Sequence, residues 1–223
     1  MITDKGGNVI GVPGYSGYLA FWVNQKIMDN AGITSIDTKE DFKKYMSAAS
    51  VNGTYGYGGS WEKTYVFNEI AQFVNMFGGD YFDWTRPENK EAIQFLYDMV
   101  KNNETPIDQI ADKYEQMNPK ANDGKYGCWF MWGLGSDYQK AGMLGDDKIH
   151  MAMVPSMTDD GNRAIFTDSW SYVLNSASKN KEAAIKFLKY MASEGGMEAS
   201  YKAFDRYPAR KDVAEKVVPD SDP

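Results

Sequence analysis

Two short segments set an aromatic ring beside a carboxylate and a hydroxyl: Trp61-Glu62-Lys63-Thr64-Tyr65 and Thr167-Asp168-Ser169-Trp170. A sugar has apolar C–H faces and a rim of hydroxyls, so capturing one takes flat aromatic planes and directional polar groups in the same place. Both segments offer that combination. Phe, Trp and Tyr make up 14% of the chain, and Tyr15, Tyr18 and Trp84 also fall in stretches that read as loops, where packing in a core explains them less well. Burial in the interior is the alternative for Trp61, Tyr65 and Trp170, and Trp84, within Phe82-Asp83-Trp84-Thr85, reads as a surface prop.

Other chemistries are poorly served. A glycosidase needs two carboxylates in opposed environments across a sugar bond, and Glu62, Asp80, Asp83 and Asp168 are candidates that no motif pairs; this enzyme reading is the alternative to non-catalytic capture. A single cysteine, Cys128, and a single histidine, His150, leave little for a zinc site. Cys128 reads as a small buried hydrophobe in Gly127-Cys128-Trp129-Phe130-Met131-Trp132, and His150 as a solvated strand residue opposite Ile149, Met151 and Met153. Asp159-Asp160-Gly161-Asn162 lacks the ligand spacing of a calcium loop and reads as a hairpin turn. No phosphate loop or dinucleotide fingerprint occurs. The expectation is no metal, no cofactor and no catalytic residue. A net charge of -7 argues against nucleic acid and anionic lipid as partners.

The elements that must position these residues alternate between strand and helix, which predicts an α/β fold. Asn8 to Pro13 reads as a strand ended by a turn, and Leu19 to Val23 as a second strand. A short helix follows, closed by Gly32, and Thr38 N-caps the next, which runs through Phe42, Tyr45 and Met46. Tyr55 to Gly59 is a strand end, Tyr65 to Phe77 a helix stopped by Gly78 and Gly79, and Pro87 to Asn102 an amphipathic helix with Ala92, Phe95, Leu96 and Met99 inward. Lys125 to Trp132 and Ile149 to Val154 are strands, with a short helix over Ser136 to Ala141 between them. Lys181 to Ser193 is a helix with Ala184, Ile185, Phe187, Leu188 and Met191 inward. Glu194-Gly195-Gly196 reads as a stop, Met197 to Ala203 as a short helix, and Val218 to Pro223 as a polar tail.

In this order the motifs resemble the extracellular solute-binding proteins of ABC importers, family 1, the maltose-binding-protein-like group. The resemblance rests on Pro13, Trp22-Val23-Asn24-Gln25-Lys26, Ala31-Gly32-Ile33, Thr38 with Phe42, and Phe77-Gly78-Gly79-Asp80-Tyr81-Phe82. It continues through Glu91 to Leu96, Gly124-Lys125-Tyr126-Gly127-Cys128, Ser178 to Leu188 and Tyr207-Pro208-Ala209-Arg210. Met131-Trp132-Gly133 shifts the Gly-x-Trp pattern that the family often places after the glycine-lysine strand.

The resemblance implies a periplasmic-binding-protein type II-like fold, seen as a fragment: mainly the second lobe plus the return segment of the first. On that reading residues 1–12 end the first lobe and form a hinge strand, 13–166 are the second lobe, 167–207 return to the first lobe, and 208–223 begin a C-terminal region. It also implies capture of a small sugar in an inter-lobe cleft that closes on it, by a monomer that delivers it to a membrane permease. The place implied is the extracellular face of the membrane, lipid-anchored, or the periplasm, although residues 1–8 show no secretory signal. The site residues carried over are Tyr15, Ser16, Tyr18, Trp61, Glu62, Tyr65, Asn68, Trp132, Asp168 and Trp170; Arg206 is added for a bidentate contact to a hydroxyl pair or carboxylate.

Overall fold

A computed structural model describes residues 2–133, 135–145 and 147–218. The chain divides into two compact units: a terminal unit of residues up to Tyr18 with those from Thr167, and a middle unit from Leu19 to Phe166.

Among the described residues the middle unit is built on four strands. The second half of β2 (Val9–Asn24) pairs antiparallel with β4 (Tyr126–Trp132) on one edge and with β5 (Ile149–Ala152) on the other. β3 (Tyr55–Gly58) then adds parallel to β4. A parallel pair needs a crossover, and here it carries α3 (Val66–Met76), α4 (Pro87–Lys101), a 3-10 turn (Ile107–Ala111) and α5 (Tyr114–Asn122). Every residue of β4 from Tyr126 to Met131 is buried, which explains its unbroken apolar run in place of alternation. Before β3 come α1 (Gln25–Asn30) and α2 (Lys39–Ala49), the latter opened by a capping box in which Thr38 Oγ1 accepts from Asp41 N and the Asp41 carboxylate accepts from Thr38 N.

Aromatic rings fill the interior. Phe130 sits 5.2 Å from Phe21 and meets Phe73 edge to face at 5.7 Å, and Phe42 stacks on Phe95. The expected inward face of α4 is correct: Ala92, Phe95, Leu96 and Met99 are buried. Cys128 is fully buried, its Sγ 3.2 Å from the Gly56 carbonyl.

The terminal unit holds β1 (Ile2–Thr3), the first half of β2, and β6 (Thr167–Tyr172), which pairs antiparallel with β2 from Val12 to Tyr18. Helices α7 (Lys181–Met191), α8 (Glu194–Phe204) and α9 (Lys211–Val217) follow in turn, and α6 (Gly135–Lys140) is a further helix of the middle unit.

Several expectations need correction. β2 is one strand of 16 residues, not two separated by a turn. Pro13 is accommodated at a bulge opposite β6, and Gly14 is required because a Cβ there would lie 2.5 Å from the Tyr172 ring. The first half of this strand, up to Tyr18, belongs to the terminal unit and the second half, from Leu19, to the middle unit. Glu194-Gly195-Gly196 is the first turn of α8, not a stop, because Ser193 Oγ accepts from Gly196 N as its N-cap. The expected inward face of α7 holds only in part: Ala184, Leu188 and Met191 are half-buried, whereas Ile185 is 42% and Phe187 58% exposed. His150 is half-buried beside Val23 rather than solvated. Asp160-Gly161 makes a turn, but β5 and β6 pair with β2 and not with each other, so it is no hairpin. The end of the polar tail, residues 219–223, lies outside the described residues.

Phe130 is the ring on which Phe21, Tyr57 and Phe73 converge. Phe130→Ala is expected to cost about 3–5 kcal/mol of stability, read as a lower midpoint in equilibrium urea unfolding.

Candidate functional site

In the middle unit, the loop after β3 is clipped onto the 3-10 turn and the residue that ends it by two backbone bonds, Trp61 N to Gln109 O and Glu62 N to Asp112 O, each 3.1 Å. That turn leads directly to Tyr114, the first residue of α5. The Tyr114 ring lies 4.8 Å from the ring of Tyr65, and its Oη accepts from Asn68 Nδ2 at 3.2 Å and from Trp132 Nε1 at 3.1 Å. Tyr65, Asn68 and Trp132, expected from sequence, are thus joined by a residue that sequence reasoning missed. Tyr114 was hidden because α5 is polar, carries Pro119 inside it and shows no clear apolar period.

With both lone pairs of Tyr114 Oη occupied, what the phenol has left to offer a solute is its proton. Burial, followed by the neighbouring Glu69 charge, pushes its pKa up to about 12. The phenol therefore stays a donor at any neutral pH.

Trp61 is half-buried, with its indole N–H donating to Glu69. Glu62 turns back on its own loop: its carboxylate accepts from Thr64 N at 2.8 Å, and hydrogen bonds from Thr64 hold it below the usual glutamate range. The middle unit therefore gathers Tyr65, Asn68, Tyr114 and Trp132, with Trp61 held on the same stitched loop and Glu62 directed away. A groove of about 1150 Å³ elsewhere in this unit lies between α2 and α4 beside Lys39, Lys43 and Lys90, and none of the expected site residues lines it.

The terminal unit gathers a second group. Tyr15 and Trp170 are cross-strand partners whose rings stack 6.0 Å apart at 13°, and the Arg206 guanidinium lies 4.7 Å from the Tyr15 ring. Asp168 Oδ2 accepts the Trp170 indole N–H at 2.7 Å, which fixes that ring while leaving it 59% exposed. Desolvation raises the Tyr15 phenol, with Arg206 opposing the shift. Ser16 is exposed and donates its backbone N–H to Tyr207 O, and Tyr18 meets the Tyr207 ring edge to face at 6.4 Å. An open pocket of about 440 Å³ in this unit is lined by Tyr15, Tyr172, Tyr190, Phe204 and Arg206.

Among the described residues no group of His, Cys, Asp and Glu is placed to hold a metal ion, and no helix is long and apolar enough to cross a membrane. Both groups are instead flat rings ringed by hydrogen-bonding atoms.

Comparison with known proteins agrees with this chemistry. Residues 1–198 match the model of the bacterial extracellular solute-binding protein family, and the chain belongs to that family. It is 28% identical to an arabinooligosaccharide-binding protein of Halalkalibacterium halodurans, over 96% of this chain and 50% of that protein. Among solved structures it is similar to the maltose-bound MalE3 of T. maritima, with TM-score 0.78, 20% identity, and 98% of this chain covering 60% of that one. A sugar transporter protein of Arthrobacter chlorophenolicus with bound laminaribiose gives TM-score 0.80, 17% identity, and 96% of this chain covering 55% of that one. The mixed α/β fold is therefore the binding-protein fold that the motifs implied. The chain spans about half the length of the curated relative it matches.

Because folding favours the neutral form of Tyr114, its contribution is whole below the ordinary tyrosine value of 10.0 and is lost as pH rises toward about 12. Tyr114→Phe cannot ionise. The stability difference between the wild type and this variant, from urea unfolding, is expected to be constant from about pH 6 to 9 and to shrink above about pH 10.

Proposed function

We propose that this chain is the sugar-recognising part of a solute-binding protein that captures a neutral oligosaccharide without covalent chemistry and passes it to an ABC permease. The observation that carries this reading is the middle-unit group: Tyr65, Tyr114 and Trp132 supply aromatic surface, while Asn68 and Tyr114 form a directed polar edge beside it. Stacking rings and fixed hydrogen-bond groups are what a sugar's two kinds of surface require. The Tyr15–Trp170 stack is a second platform for a sugar ring, with Asp168 and Arg206 at its edge. Glu62 lends itself less to solute contact, since its carboxylate is already engaged by Thr64.

Membership of an extracellular solute-binding family supports a place outside the cell membrane, lipid-anchored or periplasmic, and action as a monomer. The names of the relatives, which speak of arabinooligosaccharide, maltose and laminaribiose, support an oligosaccharide as the class of solute. A glycosidase reading has no comparable support, because the carboxylates it would use are engaged locally: Glu62 with Thr64, Asp80 with Phe82 N, Asp83 with Thr85 and Asp168 with Trp170.

The test is isothermal titration with arabinotriose, maltotriose and laminaribiose, followed by chromatography of each mixture. Saturable heat with the sugar recovered intact is expected; shortened products would overturn the reading in favour of an enzyme. Trp170→Ala is expected to weaken binding about tenfold or more, the scale of a lost ring stack. Its stability should change by no more than about 1 kcal/mol, the scale of a cross-strand pair. Equal losses of both would make Trp170 a structural residue.

A further inference from the structure

Glu69 is 1% exposed, on the face of α3 that also buries Phe73 and Met76. A carboxylate in such a position is costly unless its oxygens are fully engaged. Three donors from one short stretch of chain engage it: Tyr57 Oη in β3, Ser60 N at 2.8 Å and Trp61 Nε1 at 2.9 Å. Burial pushes the carboxyl up, and these three hydrogen bonds draw it back toward the charged form that accepts all of them. An apolar residue here would leave three donors without an acceptor, so the charge is matched to the loop and not to the core.

The Trp61 indole has a single donor, and Glu69 takes it. With its backbone clipped to Gln109 and its ring nitrogen bound to a side chain anchored on a helix, the indole is held at both ends. Gly59 completes the fit: a Cβ there would lie 2.5 Å from Glu69 Oε2 and 2.7 Å from Trp61 Nε1, so no side chain can stand at that position without pushing the pair apart.

We propose that Glu69 is the positioning residue of the middle-unit site: its buried carboxylate sets the plane of the Trp61 indole, so that the ring meets a sugar already oriented. The role in binding rests on the sugar-capture reading; the role in orientation does not. Pre-setting a ring removes an ordering cost from association, so the effect falls on affinity as well as on local order.

The experiment uses the full chain, labelled with nitrogen-15, and the indole N–H resonances of its tryptophans, with Trp61→Phe identifying the Trp61 signal. Glu69→Gln places a donor among three donors. It is expected to move the Trp61 signal upfield while the signals of Trp84 and Trp170, both exposed, stay in place. An unmoved Trp61 signal in a folded Glu69→Gln chain overturns the proposal. Should that variant lose its fold, Gly59→Ala keeps the charge and wedges the same pair; a displaced Trp61 signal supports the proposal and an unmoved one overturns it. With whichever of arabinotriose, maltotriose and laminaribiose binds, Glu69→Gln is expected to weaken affinity about tenfold. Trp61→Phe with Glu69→Gln should then be no weaker than Trp61→Phe alone, because one residue acts through the other. Full additivity would mean that Glu69 acts independently of Trp61 and would overturn its positioning role. If none of the three sugars binds the wild type, sugar capture fails while the resonance still judges the orientation.

Discussion

The structure depends on β2 and on its being paired along both edges where it enters the middle unit. Leu19 to Val23 are all at most 2% exposed; β4 pairs with the whole stretch and β5 covers the other edge from Phe21 onward, while the Leu19 N–H donates to Phe166 O. The register follows from that pairing. With Trp22 opposite Trp129 and Leu19 opposite Trp132, the end of β4 is fixed, and so is the place where Trp132 leaves the sheet to reach Tyr114. A slip of one residue would turn every side chain of this apolar strand to the other face and take Trp132 away from its partner.

From that frame the middle-unit site is assembled by polar contacts and not by packing alone. The loop after β3 has no regular structure of its own, and it gains its shape from the backbone of residues 109 and 112 and from the Glu69 carboxylate. Tyr114 does the same for the other wall, tying α3 to the end of β4 through one oxygen. Each tie joins elements distant in sequence, so the rings hold their places only in the folded chain.

Much of this was legible in the residues. The capped start of α2, the inward face of α4, the buried β4 and the burial of Cys128 all follow from local pattern, and the motif order carries the family along nearly the whole chain. What escaped was set by long-range contact. Pro13 and Gly14 look like breakers, yet the strand continues because β6 supplies the bulge and the Tyr172 ring occupies the space where a Cβ at position 14 would stand. Gly195 and Gly196 look like a stop, yet Ser193 caps a helix across them. Glu69 did carry a signal: an acid sharing a helical face with Phe73 and Met76 is out of place unless something binds it. Tyr114 carried none, because its importance lies in partners 46 and 18 residues away.

The outer side of α7 has a consequence for the behaviour of this chain in solution. Ile185, Phe187 and Tyr190 stand at 42%, 58% and 53% exposure on one helix, and Val9, Ile10, Val173 and Phe204 add further bare apolar surface in the same unit. Against them works a net charge of -7 that keeps copies apart by repulsion. Salt screens repulsion, and strongly hydrated salts such as sulfate strengthen apolar association. The two effects act in the same direction here: added salt both weakens the repulsion between copies and strengthens the attraction between their apolar surfaces.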